Sequence, residues 1–538
     1  MSDLADVDYI VVGGGLTGCV VASRLTQGDK DGKKPQVALL EAGSDPAGNP
    51  AAGGFLSGLS LLGGDYDYAF QTEPVPGTAD RVHTLNVGKV LGGAASSTSA
   101  AGCVRMQPTT TTGPKRGLKP WLRKTEHFFS GNPDGAAVTA DDEQHGSDGP
   151  MHVYPVSVGE SGIRKYPLRE PLGVPSNPRR KNGRNTGLTE IPCTPLDDDG
   201  DNAVRIYTNT LVRRVIFSED GNVKATGVEL ADGRKIAARK EVTDCAGALR
   251  TPQLLMLSGV GPAATLEAHG IPVGRDAPGV GQNLHDQLRA VPGVLPARPL
   301  ARDPKFSNSP LPWDWVVSQP LPAGITEEKR QDADERNTWE AITMYVLPIP
   351  GIPIDGSHIA TSTMLLRPTS RGAVTIRSGD PGDAPRIQPN HLSTALDRDT
   401  LVHAVRTTLK VMLETSAMKG IVAAESPPAV VGKIGAAAES GEGPEGNDNG
   451  ADLVPLTADT SPEALEDRIR RTGLAHAHPG GTAAMGKVVD TEGKVLGVRG
   501  LRVADASIVP IPLGGHPQAT LYAMAEQLAS FILGDYSP

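Results

Sequence analysis

The chain has 538 residues, enough for two to four domains of ordinary size. Its 52 Lys and Arg against 62 Asp and Glu give a formal net charge of −10, which argues against a broadly basic surface for nucleic acid or anionic lipid. A hydrophobic share of 38% excludes a wholly disordered chain, and the 64 glycines and 46 prolines follow no Gly-X-Y period, which excludes collagen.

Asp8–Val12 is predicted as a short apolar strand that runs into glycines. Thr17–Leu25 has helical spacing, with Val20, Val21 and Leu25 on one face, and Val37–Leu40 is a second short strand. A strand, a helix and a parallel strand within about 35 residues make a βαβ unit. At its first turn Gly13, Gly15 and Gly18 have the spacing G-x-G-x-x-G, with Leu16 and Thr17 between them. Glycine there allows a tight turn, close approach of backbone to a pyrophosphate, and close helix packing. The helix start offers free N–H groups to the phosphates. Glu41, followed by Ala42, closes the second strand, and its carboxylate can accept from a ribose hydroxyl. With the motif between strand and helix and the acid in place, a bound dinucleotide is predicted; the motif alone does not separate FAD from NAD.

The next motif is GKVLGG, Gly88 to Gly93, with Val90, Gly92 and Gly93, followed by AASSTSAAG. Small residues over this stretch let backbone lie against a flat group. Residues 107–117, with four consecutive threonines, read as a loop. Val204–Ile216 and Ala225–Leu230 alternate as strands, and Arg239–Ala246 leads to a helix over Thr251–Leu257, inside GALRTPQLLMLSGVG (Gly247 to Gly261). Residues 295–325 are Pro-rich, contain Trp313 and Trp315, and read as a loop. Met364–Leu366 and Ala373–Ile376 read as edge strands of another sheet. Asp397–Thr415 is a long helix with Leu401, Val405, Leu409 and Leu413 on one face. Residues 425–456, rich in Gly, Glu, Pro and Ala, are expected at the surface or mobile, because their carboxylates would cost much to bury. Thr520–Leu533 is a closing helix.

Two histidines carry the chemistry. His478 opens HPGGTAAMG and His516 ends GGH, on either side of a predicted strand over Leu501–Ala504. A sheet can bring such residues to one place, and imidazole is the natural base for a hydroxyl proton near neutral pH. The cysteines, Cys19, Cys103, Cys193 and Cys245, make no CxxC pair, so no disulfide framework and no metal site are expected. No apolar run reaches about 18 residues, so no membrane span is expected. The opening MSDLADVDYIVVGGG lacks the features of a secretory signal, and an intracellular, cytoplasmic location is expected.

Taken together, these strings resemble the glucose–methanol–choline (GMC) oxidoreductases, a family of FAD-dependent enzymes, from Asp8 to Leu533. GALRTPQLLMLSGVG fits the family's second signature at every defined position. HGSDGPMHV (His145 to Val153), VGQNLHD (Val280 to Asp286) and RPTSRGAVTIRSGDP (Arg367 to Pro381) are similar to family blocks in the right order. The resemblance implies an α/β fold with a discontinuous Rossmann-type FAD-binding domain over 1–150, 200–292 and 470–538. A substrate-binding domain over 151–199 and 293–469 would be built on an antiparallel sheet flanked by helices.

The resemblance also implies roles. Gly13, Gly15, Gly18 and Glu41 hold the ADP half of FAD, with Leu16, Thr17 and Ala42 beside them. Val90, Gly92 and Gly93 lie by the flavin and pyrophosphate, and Val212 meets the adenine through its backbone. Asp505 and Ala506 lie beside the phosphates and ribityl chain, and Pro517 and Gln518 near the flavin ring. His478 is the catalytic base and His516 its partner. Thr98 stands where the family usually has Asn at the flavin face. Ser97 stands where some members carry the His that attaches FAD, so non-covalent FAD is expected. The implied reaction is oxidation of a small-molecule alcohol to a carbonyl by hydride transfer to flavin, with oxygen or another acceptor taking the electrons. The alternative, suggested by the unusual segment 94–106, is a GMC-fold enzyme that keeps FAD structurally and does lyase or cyclase chemistry.

Overall fold

The structure, a computed structural model, describes residues 6–27, 35–49, 51, 59–93, 118–128, 149, 151–155, 186–188, 204–218, 223–290, 294–296, 313–319, 338–344, 358–416, 418, 422–427 and 453–534. β1 (Val7–Val12), α1 (Leu16–Leu25) and β2 (Val37–Leu40) form the first βαβ unit. β2 is buried throughout and β1 at every residue but one, as strands covered on both faces require. β3 (Val204–Tyr207), β4 (Val212–Phe217) and β5 (Ala225–Leu230) precede β6 (Lys235–Asp244), which serves two pairings. Its first residues run antiparallel to β5, and its later ones run parallel to β1. The order in this sheet is β3-β2-β1-β6-β5-β4. β6 feeds α2 (Gly247–Leu257). That helix starts a full turn before Thr251, because Asp244 accepts from Ala246 N and Asp505 from Gly247 N, which satisfies its first free donors.

The chain then builds its second sheet system. β7 (Gln282–Leu284), β8 (Leu288–Ala290) and β9 (Val294–Pro296) come first. β10 (Trp313–Gln319), β11 (Trp339–Met344), β12 (His358–Leu365), β13 (Gly372–Thr375) and β14 (Arg386–Gln388) follow. In one sheet β10, β11, β12 and β8 are antiparallel neighbours, and β9 also pairs with β12. β7, β13 and β14 form a separate three-stranded sheet. α3 (Ala395–Glu414), capped by Thr394, packs Leu401, Val405 and Leu409 against Leu288 and Leu365. α4 (Pro462–Thr472) joins the same cluster through Leu465 and Ile469. β15 (Leu474–Ala475) extends the antiparallel sheet beside β8. β16 (Leu501–Val503) returns to the first sheet and pairs parallel with β6. α5 (Gln518–Ile532) lies along α1, where buried Glu526 accepts from Arg24 at 2.8 Å.

Three local readings of the sequence are corrected. The segments at Met364 and Ala373 are not edge strands of one sheet: β12 is flanked by β11 and β8, and β13 is the middle strand of the other sheet. β12 is buried over residues 359–365, whereas β13 alternates buried and half-buried residues. The stretch 295–325 is not all loop, since Trp313–Gln319 is strand β10, paired with β11. The segment 425–456 is anchored at both ends. Glu425 is 2% exposed, pairs with Arg468 at 2.8 Å and accepts from Leu456 N, and Leu456 is in the core. An arginine partner and a backbone donor offset the burial cost that composition alone assigns to that carboxylate. Residues 428–452 lie outside the described residues. Among the described residues no helix is long and apolar enough to cross a membrane.

The parallel strands β1, β2, β6 and β16 end on one edge, at Val12, Leu40, Asp244 and Val503. In open α/β sheets this carboxyl edge is where ligand crevices form.

Candidate active site

The first part of the site is made of backbone. Gly13 has φ +100°, and a Cβ there would lie 2.5 Å from Cys245 O. A Cβ on Gly18 would lie 1.9 Å from Gly13 O. Packing within the protein therefore demands both glycines. Gly15 differs, because a Cβ there would meet nothing within 4 Å among the described residues. It is the N-cap of α1, no side chain caps that helix, and no acidic residue sits in the first turn. Among the described residues nothing fills the space before the N-terminal N–H groups and positive end of this helix, an arrangement whose chemistry suits a pyrophosphate. Thr17 is buried in this turn, and Leu16 packs against Tyr522 of α5.

Glu41 braces the same loop. Its Oε2 accepts from Gly14 N and its Oε1 from Gly43 N, both at 2.7 Å. Burial pushes its carboxyl up, and the two amides pull it back. Two donors leave lone pairs for a ribose hydroxyl. Ala42 is half-buried beside it. The second glycine motif docks on the first: Gly92 N donates to Gly14 O at 2.7 Å, and a Cβ on Gly93 would lie 2.9 Å from Gly15 Cα. Buried Val90 bridges to Ser44, and buried Val212 opens β4. Thr98 and Ser97 lie outside the described residues.

Asp505 points into the protein. It accepts from Gly247 N at 2.9 Å, Thr251 Oγ1 at 2.6 Å and Ser507 N at 2.8 Å. Asp244 also accepts from Thr251, and burial beside Asp505 holds its carboxyl well above the usual range. The Asp505 side chain therefore ties the turn at Ala506–Ile508 to α2.

The second part of the site is made of side chains. His476 and His478 follow β15, and His516 precedes Pro517, the N-cap of α5, and Gln518, its first residue. The rings of His478 and His516 are 5.1 Å apart, and His476 stands 4.4 Å from His478 and 5.4 Å from His516. One nitrogen from each ring lies within 4.8 Å of the other two, a donor set that suits proton transfer and contains the atom types of a metal site. The turn that carries them is held against the Val280–Asp286 block. His285 and Gly480 exchange two backbone hydrogen bonds, and His476 N donates to Gln287 O at 2.8 Å. Asp286 Oδ1 accepts from His478 N at 2.7 Å. Between the two rings Ala477 adopts φ +58°, a left-handed conformation held by these contacts. The Gln287 amide meets His478 Nδ1 at 2.7 Å, and Glu340 Oε1 on β11 meets His516 Nε2 at 3.1 Å.

Burial, together with His516 and Arg289, pushes His478 well below its ordinary value, and His476 moves the same way. His478 is thus a neutral imidazole around neutral pH. Burial raises Asp286 to about 7. Sequence reasoning singled out His478 and His516 and passed over His476, Glu340, Asp286 and Gln287. The available signals were the second imidazole in HAHP and the two residues that end VGQNLHDQ.

Comparison with known proteins places this geometry in a family. The GMC oxidoreductase profiles match residues 170–289 and 368–525, and a Rossmann-like NAD(P)-binding profile matches 11–72. The chain belongs to the GMC oxidoreductases. It is 32% identical to the GMC-type oxidoreductase acuG of Aspergillus aculeatus, over 98% of this chain and 99% of that protein. It is also 31% identical to versicolorin B synthase of Aspergillus parasiticus, over 97% of this chain and 87% of that one. Among solved structures, pyridoxine 4-oxidase from Mesorbium loti superposes with a TM-score of 0.75 at 24% identity, covering 98% of this chain and 99% of that one. That structure has the same fold.

Proposed function

We propose that this protein oxidises a small-molecule alcohol to a carbonyl with non-covalently held FAD, and that His478 is the general base. The carrying observation is the pair of rings 5.1 Å apart, one of them held neutral by burial. His478 Nδ1 is engaged by Gln287, so the hydroxyl proton of the substrate goes to Nε2. A neutral imidazole can accept it without first losing a proton of its own. His516 is the second group at the substrate oxygen. Glu340 Oε1, 3.1 Å from His516 Nε2, fixes that ring where it can hydrogen-bond the substrate oxygen. The contacts of Asp286, Gln287 and Glu340 keep both rings in register with little reorganisation. When bound, FAD would supply the acceptor for the hydride that leaves the carbinol carbon, with oxygen or another acceptor as the final oxidant. Gly13, Gly15 and Gly18 with Glu41 bind it on the side of α1, and Gly92 and Gly93 lie against them.

The likeness to a relative named a synthase favours a second reading, in which the same histidines act as acid and base without net oxidation. Anaerobic mixing with a panel of alcohols separates the two. Bleaching of the flavin by at least one alcohol is the expected result. An unbleached flavin, with substrate converted to an isomer, would replace the first reading by the second.

A further inference from the structure

We infer that Gln287 is the positioning residue of this site: one amide selects the tautomer of His478 and holds the loop that carries His516. The inference rests on the proposed role of His478 as base. The amide of Gln287 has only one orientation open to it. Its Nε2 faces three backbone oxygens, Leu366 O at 2.9 Å, Leu513 O at 3.3 Å and Gly515 O at 3.4 Å. Turning the amide over would set its own oxygen against those three acceptors. Its Oε1 therefore faces His478 Nδ1 at 2.7 Å, and an oxygen there can only accept. The proton of neutral His478 is consequently on Nδ1, and the lone pair is on Nε2. The same amide reaches Leu513 and Gly515, immediately before His516. Both imidazoles are thus referenced to a single side chain, which is itself buried on the strand register that places Leu288 opposite Ala475.

An uncharged acceptor suits this purpose. A carboxylate in the same place would favour the imidazolium, so the ring would already carry a second proton nearer neutral pH, whereas an amide fixes the tautomer without adding charge. The distance also matters, because 2.7 Å is short for an N–H···O bond and leaves the ring little freedom to turn.

The test is nitrogen NMR of holoprotein labelled at histidine, with His478→Ala to assign the signal, beside stopped-flow flavin reduction. The variants are Gln287→Met, which keeps the length and removes both polar ends, and Gln287→Glu, which keeps an acceptor toward Nδ1. Flavin absorbance of each variant confirms that it is folded and loaded. In the wild type, His478 should show a protonated Nδ1 and a bare Nε2. In Gln287→Met the signal should move toward the other tautomer, and flavin reduction should slow by about 10²-fold, the low end of what loss of a general base costs. Gln287→Glu should keep the Nδ1–H tautomer. A bare Nδ1 in the wild type, or an unchanged tautomer in Gln287→Met, would overturn the inference. A tautomer that shifts while the rate does not would also overturn it as a catalytic role. Should His478→Ala then reduce its flavin at the wild-type rate, the fault would lie with the base assignment beneath it.

Discussion

The glycine cradle and the histidine pocket sit on two sheet systems and are built on opposite plans. The cradle is local: Gly13 to Gly18 and Glu41 come from one βαβ unit, and its chemistry is backbone N–H groups and the absence of side chains. The pocket is assembled from distant pieces. Asp286 and Gln287 lie by β8, Glu340 on β11, His478 after β15 and His516 before α5. A binding surface for a common cofactor can be written in one short motif, whereas groups that must be aimed at a reacting atom are braced from several directions.

The cradle itself can be dissected first, with the largest expected effect. Gly13→Ala and Gly18→Ala put a Cβ into backbone at 2.5 Å and 1.9 Å, so little folded protein should be recovered. A Cβ at Gly15 meets no atom of the described residues within 4 Å, so Gly15→Leu should fold, with near-wild-type circular dichroism, and lose its FAD. Stoichiometric flavin on Gly15→Leu would remove the pyrophosphate from that space. In the pocket, a change should act on rate and spare the cofactor. His516→Ala should slow flavin reduction by about 10²-fold, as removal of a donor to a developing oxyanion does. His516→Asn should be milder, since an amide still donates. Equal rates for the two variants would exclude the hydrogen-bond role.

The smallest and most diagnostic effect is in the pH profile. A base must be unprotonated to act, and burial lowers the His478 value below 6.5. The limb that reports His478 should therefore fall on the acid side of 6.5, so reduction holds level through neutral pH and drops only in more acid solution. This revises the simple expectation for an unperturbed histidine. Asp286, raised to about 7, accepts from His478 N when ionised, so any inflection near 7 should disappear in Asp286→Asn. A His478 limb at or above 6.5 would show that the ring is not held neutral.

How much of this was legible in the sequence follows the same division. β1, α1 and β2 were readable almost to the residue, because apolar runs and glycine spacing are short-range signals. The middle of the chain was less so: β12 and β13 looked like edge strands because a short apolar run does not say how many neighbours a strand has. Glu425 looked like surface because its partner Arg468 is 43 residues away. Histidines 478 and 516 could be picked out by type and surroundings. Glu340 and Gln287 could not, since a glutamate in WEAITM and a glutamine after HD carry no mark of their targets. Only the pairing of β8 with β15 and of β11 with β12 brings them to the rings.

The central claim is that His478 takes the proton while an independent cradle holds the cofactor. Anaerobic stopped-flow reduction of bound flavin by a good alcohol substrate, wild type beside His478→Ala, tests it most directly. The account predicts full flavin content in the variant and a reduction rate lower by about 10²–10⁴-fold. A His478→Ala protein that holds its flavin and reduces it at the wild-type rate would contradict it.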